Sequence, residues 1–110
     1  MCRYGFHGTS HQYVVSRLTE PLGAGARVVS CHLGAGCSVT AALTGAGTSR
    51  DTSMGFSPLS GVMMAARSGD LDPTVLQYIS ARLDISLDQV INILNNQSGF
   101  LGIAGTSDSR

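Results

Sequence analysis

RVVSCHLGAGCSVTAALTGAGTSRDT, residues Arg27 to Thr52, is the stretch on which the fold turns. Arg27 to Leu33 carries the β-branched pair Val28 and Val29, and Gly34-Ala35-Gly36 is a turn. Beyond it Cys37, Val39, Ala41 and Leu43 alternate with Ser38, Thr40 and Ala42. Two short runs of strand-forming residues joined by a glycine-bearing triplet read as a β-hairpin. Thr44 to Thr48 is a second turn, and Ser49 to Thr52 extends the hairpin into a three-stranded antiparallel meander.

Upstream, Thr9 or Ser10 can cap a helix over about 10–19 that puts Val14, Val15 and Leu18 on one side and stops before Pro21. Downstream, residues 59–66 read as a short helix broken by Ser68-Gly69-Asp70. Pro73 suits the first turn of a helix over about 74–83. Ser86 and Gln89 form a capping box for a helix ending near Asn96, with Leu87, Val90, Ile91 and Leu94 as its apolar stripe. Gly99 to Gly105 reads as a glycine-punctuated apolar loop. The fold class is therefore α/β, a hairpin or meander followed by helices.

The chain has 110 residues, 43% of them hydrophobic and 13% charged, with a formal net charge of zero. That length supports one modest core. No run of like charge suggests a nucleic-acid partner, and no apolar run approaches the length of a membrane span. Lysine is absent, which removes Schiff-base and P-loop lysine chemistry; the seven arginines leave anion recognition open. Three cysteines, Cys2, Cys31 and Cys37, follow no disulfide framework and fit a reducing cytosol, with Cys31 and Cys37 expected as small core residues. Met1-Cys2-Arg3-Tyr4 runs straight into dense motif, and Thr106 to Arg110 stops without a terminal element, so residues 1–110 read as a partial domain cut at both ends.

Several residues invite chemistry. His32, Leu33, Gly34, Ala35 and Gly36 form a turn whose backbone N–H groups can converge on an anion, or an ordinary tight turn. His7 precedes a helix start and can face a cleft or a core, whereas His11 is expected as a solvated or capping residue of the first helical turn. A metal pair from His7 and His11 is disfavoured because the helix would begin between them. Asp51 to Leu59 has the polar groups, flexible glycine and apolar patch of a small amphiphilic pocket, or of a plain crossover. Met63, Met64 and Ala65 read as core. Arg67 could bind an anion or sit as a positive charge at a helix C-terminus.

Four strings in order, FHGTSH (6–11), HLGAG (32–36), DTSMGFSPLSGVMMAARSGDLDP (51–73) and SGFLGIAGTSD (98–108), resemble the acetate kinase family, with propionate kinases closely similar. The resemblance spans nearly the whole chain, and its long central string is highly specific. It implies part of the ribonuclease H-like fold shared by actin, sugar kinases and heat-shock ATPases, and transfer of the ATP γ-phosphoryl group to acetate, giving ADP and acetyl phosphate. Residue by residue, it implies that His7 and Arg67 stabilise the transition state and that His32, Leu33, Gly34, Ala35 and Gly36 contact phosphate. It further implies that Asp108, Ser109 and Arg110 contact the nucleoside, and that Phe6 and Pro58 line the pocket for acetate or another short-chain carboxylate.

The family commonly has Asn where this chain has Ala35, a change that leaves both glycines of the turn in place. The family's N-terminal strand, a further substrate arginine, its catalytic Asp and a C-terminal glycine-rich loop have no counterpart among these residues, so Mg²⁺ ligands are expected outside the chain and the metal set within it is empty. A homodimeric cytoplasmic enzyme is implied, and the isolated chain is expected not to catalyse. The alternatives are a nucleotide-binding or interaction remnant without catalysis and, last, a small metal-binding protein using His7, His11, Cys31 and Cys37.

Overall fold

A computed structural model of the chain describes residues 3–108. Helix α1 (Gly8–Leu22) leads into strands β1 (Arg27–Leu33), β2 (Cys37–Leu43) and β3 (Ser49–Thr52), which are followed by α2 (Thr74–Leu83), α3 (Leu87–Asn96) and α4 (Gly99–Ala104). The strands form one antiparallel sheet in the order β1-β2-β3, with His32 opposite Ser38 and Leu33 opposite Cys37 at the tip of the first hairpin. A register shift at Ala41/Ala42 leaves Arg50 of β3 as the extra residue of a bulge. The expected meander and its strand limits are thus present.

The strands alternate, but the face turned inward is the more polar one. Ser30 of β1 and Ser38, Thr40 and Ala42 of β2 are buried, while Val29, Cys31 and Leu33 are exposed, Leu33 at 74%. Helix α1 lies against β1 and β2 and brings the buried Val15 and His11 to this largely hydroxyl-lined layer. Burial of hydroxyls is tolerable only when each finds a partner, and among the described residues no buried side-chain N or O atom lacks one. Cys31, expected in the core, therefore points outward; Cys37 is buried with Met54 and Met64 beneath the hairpin tip.

α1 starts earlier than expected and runs through Pro21. His7 rather than Thr9 or Ser10 holds the N-cap position, without a side-chain cap bond, because its imidazole is engaged elsewhere. Pro21 is tolerated because it falls in the final turn, where Gly23, at φ +75°, closes the helix by donating its N–H to the Thr19 carbonyl. Thr44 then pins this end to the sheet: its hydroxyl donates to the Gly23 carbonyl at 2.6 Å and accepts from the Ala26 N–H at 2.9 Å.

The helix expected over 59–66 is absent, and a helix stands where a loop was expected at 99–105. Long-range backbone bonds account for both. The Met64 and Ala65 N–H groups, which a helix would aim at the Ser60 and Gly61 carbonyls, donate instead to the Arg67 (3.1 Å) and Ala35 (3.4 Å) carbonyls, and the Gly61 carbonyl accepts from the Asp70 N–H at 2.8 Å. The carbonyls of Met64, Ala65 and Ala66 accept N–H groups from Phe100 (3.0 Å), Leu101 (2.9 Å) and Ser98 (2.9 Å). The donors lie at the start of α4, whose first-turn N–H groups have no partner within the helix. Gly99 makes this clasp possible. At φ +61° a side chain is strained, and a Cβ there would collide with the Met64 carbonyl oxygen and stand 2.7 Å from that of Arg67.

α3 begins with the anticipated capping box, Ser86 Oγ accepting from the Gln89 N–H and Gln89 Oε1 from the Ser86 N–H. Only Val90 and Leu94 of its stripe are buried; Leu87 is 55% exposed. α2 buries none of its residues, and Tyr78 is 68% exposed. The Cα radius of gyration is 16.5 Å, against roughly 13 Å for a compact domain of this length. The elongated body thus leaves apolar surface on β1, α2 and α4 that a compact domain would cover. No helix among the described residues is long and apolar enough to cross a membrane.

The clasp yields a stability contrast. Gly99→Ala combines a strained backbone with a backbone collision and is expected to cost more than about 2 kcal/mol. Gly105→Ala, at φ +72° with open space around it, pays only the backbone term of about 1 kcal/mol. Urea unfolding of the two variants, followed by far-UV circular dichroism, checks the order.

Candidate active site

The hairpin tip, the start of α1 and the loop carrying Arg67 meet at one place. Gly36 lies between the other two: a Cβ built there would stand 3.3 Å from Arg67 Nη1 and 3.3 Å from His7 Nε2. A glycine's value at this position is room, since Gly34 and Gly36 are absent from the positive-φ glycines. The His7 and His32 rings stack with centroids 4.0 Å apart and planes 18° from parallel, and His32 Nε2 is 3.4 Å from a Cβ built on Gly34. Arg67 reaches the cluster across Met64 and is steadied by the Pro58 carbonyl, which accepts from Nη1 at 3.4 Å.

Hydrogen bonds fix the rings from behind. His7 Nδ1 and His11 Nε2 each lie 2.8 Å from the Ser38 hydroxyl, His11 Nδ1 lies 2.9 Å from that of Ser30, and His32 Nδ1 lies 3.1 Å from that of Ser10. His11 is accordingly not a solvated first-turn residue: it is 6% exposed, with both ring nitrogens occupied. The sequence offered one signal for it. His11 is one turn beyond His7 on the helix that must cover a strand face bearing Ser30 and Ser38, but recognising this requires the register that places those serines inward.

Burial lowers the pKa of His7 below the ordinary histidine value, and the neighbouring His32, His11 and Arg67 push it the same way. Burial, then His32, lowers that of His11. An arginine fork, imidazole nitrogens and a glycine tip with uncluttered backbone together make a pocket of donors suited to a multiply charged oxyanion. A hard divalent cation wants carboxylate oxygens, and the cluster contains none; among the described residues no group of three or more His, Cys, Asp or Glu side chains is placed to hold a metal. Mg²⁺ therefore does not fit the residues present here.

The other anticipated positions are distributed as follows. Leu33 and Ala35 are exposed on the tip, and the Ala35 carbonyl accepts the Ala65 N–H at 3.4 Å, joining tip to Arg67 loop. Pro58 is half-buried beside Arg67, while Phe6 is 49% exposed next to His7. Asp108 lies past α4, exposed, its N–H donated to Thr106 Oγ1; Ser109 and Arg110 lie outside the described residues. A cleft of about 810 Å³ opens elsewhere, between α1 and β2–β3, and of the cluster only His11 lines it. Convergent charge identifies the site better than volume does. Gly99 and Ser98, which hold the Arg67 loop through backbone contacts, were missed as site-building residues because the stretch reads as apolar loop.

The chain is similar to solved structures of propionate and acetate kinases. A propionate kinase from Francisella tularensis superposes with a TM-score of 0.88 at 48% identity, and the acetate kinase of Porphyromonas gingivalis with 0.87 at 41%; each match covers 96% of this chain and 27% of the other. The acetate kinase of Helicobacter hepaticus is 51% identical over 108 residues, covering 96% of this chain and 26% of that protein. Residues 1–110 match the Acetokinase family throughout, and the chain belongs to that family. It spans about a quarter of the length of the curated relatives it matches.

The histidine shifts give a pH dependence with a definite sign. A histidine whose folded pKa lies below its unfolded value contributes stability that is present above about pH 6.5 and is lost as pH falls through the folded pKa. Thermal unfolding is expected to be level from neutral pH upward and to shift to lower temperature on acidification below that point. His11→Gln should flatten part of the slope, which melting curves across pH will show.

Proposed function

We propose that the chain is an internal part of a cytoplasmic kinase that transfers the γ-phosphoryl group of ATP to acetate, forming acetyl phosphate and ADP, with propionate as the competing substrate. The observation that carries this is the convergence of His7 Nε2 and Arg67 Nη1 on the space above Gly36. In the transfer a carboxylate oxygen of acetate forms a bond to the γ-phosphorus as the bond from phosphorus to the ADP oxygen breaks. Negative charge is spread over the three equatorial oxygens of the passing group, so fixed donors aimed at those oxygens do most of the catalysis.

Arg67 supplies a permanent positive fork and His7 an imidazole donor at the same point. The hairpin tip, 32–36, brings backbone close to the phosphates, and Phe6 and Pro58 flank the approach of the small acyl group. Asp108, Ser109 and Arg110 are assigned to the nucleoside. Mg²⁺ would be held by acidic groups beyond these residues. The exposed apolar surfaces of β1, α2 and α4 support a larger body around this segment, and a homodimer without nucleic-acid or membrane partners is the assembly expected of it.

Purified chain supplied with ATP, acetate and Mg²⁺ is expected to form no acetyl phosphate, because it lacks acidic groups for the metal near its donor cluster; turnover above a host-enzyme blank would refute this. Residues 1–110 placed in the corresponding stretch of the Staphylococcus carnosus acetate kinase, 54% identical over 108 residues, should be active. In that chimera Arg67→Ala is expected to reduce kcat roughly a thousandfold and His7→Ala about a hundredfold, with ATP affinity changed far less. Arg67→Lys should rescue poorly because a point ammonium lacks the planar fork. Near-normal kcat in a folded Arg67→Ala chimera would sink the assignment.

A further inference from the structure

The serine shared by two histidines has a consequence for the proton on His7. Ser38 Oγ is 2.8 Å from both His7 Nδ1 and His11 Nε2, yet a hydroxyl has one proton to give. Because Ser38 is fully buried, spending that proton requires one ring to receive it while the other donates its own. We propose that His11 is a positioning residue for His7, selecting through Ser38 the tautomer that turns an N–H of His7 toward the phosphoryl site. This rests on the phosphoryl-transfer reading above.

With both rings neutral, two arrangements satisfy the distances and use the Ser38 proton; a third, in which both rings donate to Ser38 Oγ, strands that proton on a fully buried side chain. In the first, Ser30 donates to His11 Nδ1, His11 Nε2–H donates to Ser38, and Ser38 donates to His7 Nδ1. The proton of His7 then resides on Nε2, the atom that faces Gly36. In the second every bond reverses: His7 carries its proton on Nδ1, spends it on Ser38 and presents a lone pair above Gly36. His11 in turn donates to Ser30.

Two considerations select the first. The Ser30 and Ser38 protons then each have an imidazole acceptor, whereas in the reverse arrangement the Ser30 proton, on a side chain only 6% exposed, has no acceptor among the described residues. A buried polar group left unspent costs about 1–3 kcal/mol. A lone pair on Nε2 would also meet the oxygens of a phosphoryl group lone pair to lone pair. The alternative of protonating His7 outright is opposed first by its burial and then by the groups that face it, His32 from β1, His11 from α1 and Arg67 from the clasped loop. A neutral ring therefore needs its single proton on the correct nitrogen, and His11 with Ser30 is the part of the structure that specifies it.

The test reads the tautomer directly. Side-chain ¹⁵N spectra of the histidine-labelled 110-residue chain, recorded well above the histidine pKa range, should show His7 with a protonated Nε2 and a bare Nδ1. His11→Phe should lose that single-tautomer pattern and give averaging between forms. His11→Gln, whose amide N–H can still donate to Ser38, should keep it. Ser30→Ala, at the outer end of the relay, is the second variant should His11→Phe fail to fold, and it too should show averaging.

A His7 protonated on Nδ1 in the unaltered chain overturns the proposal, as does an unchanged His7 pattern in the folded His11→Phe or Ser30→Ala chain. In the active chimera His11→Phe should lower kcat on the order of tenfold, less than deletion of a direct donor, with KM for ATP within about twofold and His11→Gln restoring most of the loss. An inactive chimera whose His7 tautomer is as expected counts against the kinase reading and leaves the relay standing. An active chimera with an indifferent tautomer counts against the relay alone.

Discussion

A buried strand face made of hydroxyls has to be hydrogen-bonded, and most of what is distinctive in this chain follows from that requirement. Ser30 and Ser38 point under α1. An aliphatic helix laid over them would strand both groups away from water. His11 meets them with both ring nitrogens, and Ser38 in turn takes hold of His7. The same bonds that make the layer tolerable thereby fix a histidine at the edge of the sheet, where the hairpin tip opens to solvent. Packing and site are one set of contacts.

The second constraint is the backbone clasp between the start of α4 and residues 64–66. Arg67 is a long, flexible side chain, and directing its guanidinium at a fixed point costs conformational entropy unless its backbone is already held. Three hydrogen bonds to the preceding carbonyls and the tight fit of Gly99 supply that hold, while the Ala35–Ala65 contact ties the loop to the hairpin tip. The two donors that meet above Gly36 thus come from segments far apart in the chain, each tied to the hairpin between them, His7 through Ser38 and the Arg67 loop through the Ala35–Ala65 bond.

Much of this was open to reading from the residues. The hairpin, the third strand and the capping box at Ser86 and Gln89 carry local signals, alternation, glycine turns and side-chain caps, and the structure has them where those signals fall. His7, Arg67 and the 32–36 turn could be singled out, and they do come together. The failures have a common cause. Residues 59–66 look helical and 99–105 look like loop, yet the Met64 and Ala65 N–H groups donate to Arg67 and Ala35, and the start of α4 donates to the carbonyls of residues 64–66, partnerships that no local pattern displays. His11 was misread for the same reason, since its burial depends on which strand face α1 covers. Cys31 was placed inward by its residue type, whereas the register puts Ser30 and His32 on the covered face.

The clasp also bears on how the Arg67 loop can vary. Its bonds run from main chain to main chain, so they place almost no demand on the chemistry of the side chains at positions 65 and 66 beyond their size. The demand falls on the shape of a single remote residue, Gly99, which has no functional group at all. The address of the arginine is therefore written largely in a glycine more than thirty positions away, and size-conserving drift at positions 65 and 66 would leave that address intact, whereas Gly61 and Gly69, at φ +105° and +74° with backbone atoms close by, are fixed like Gly99.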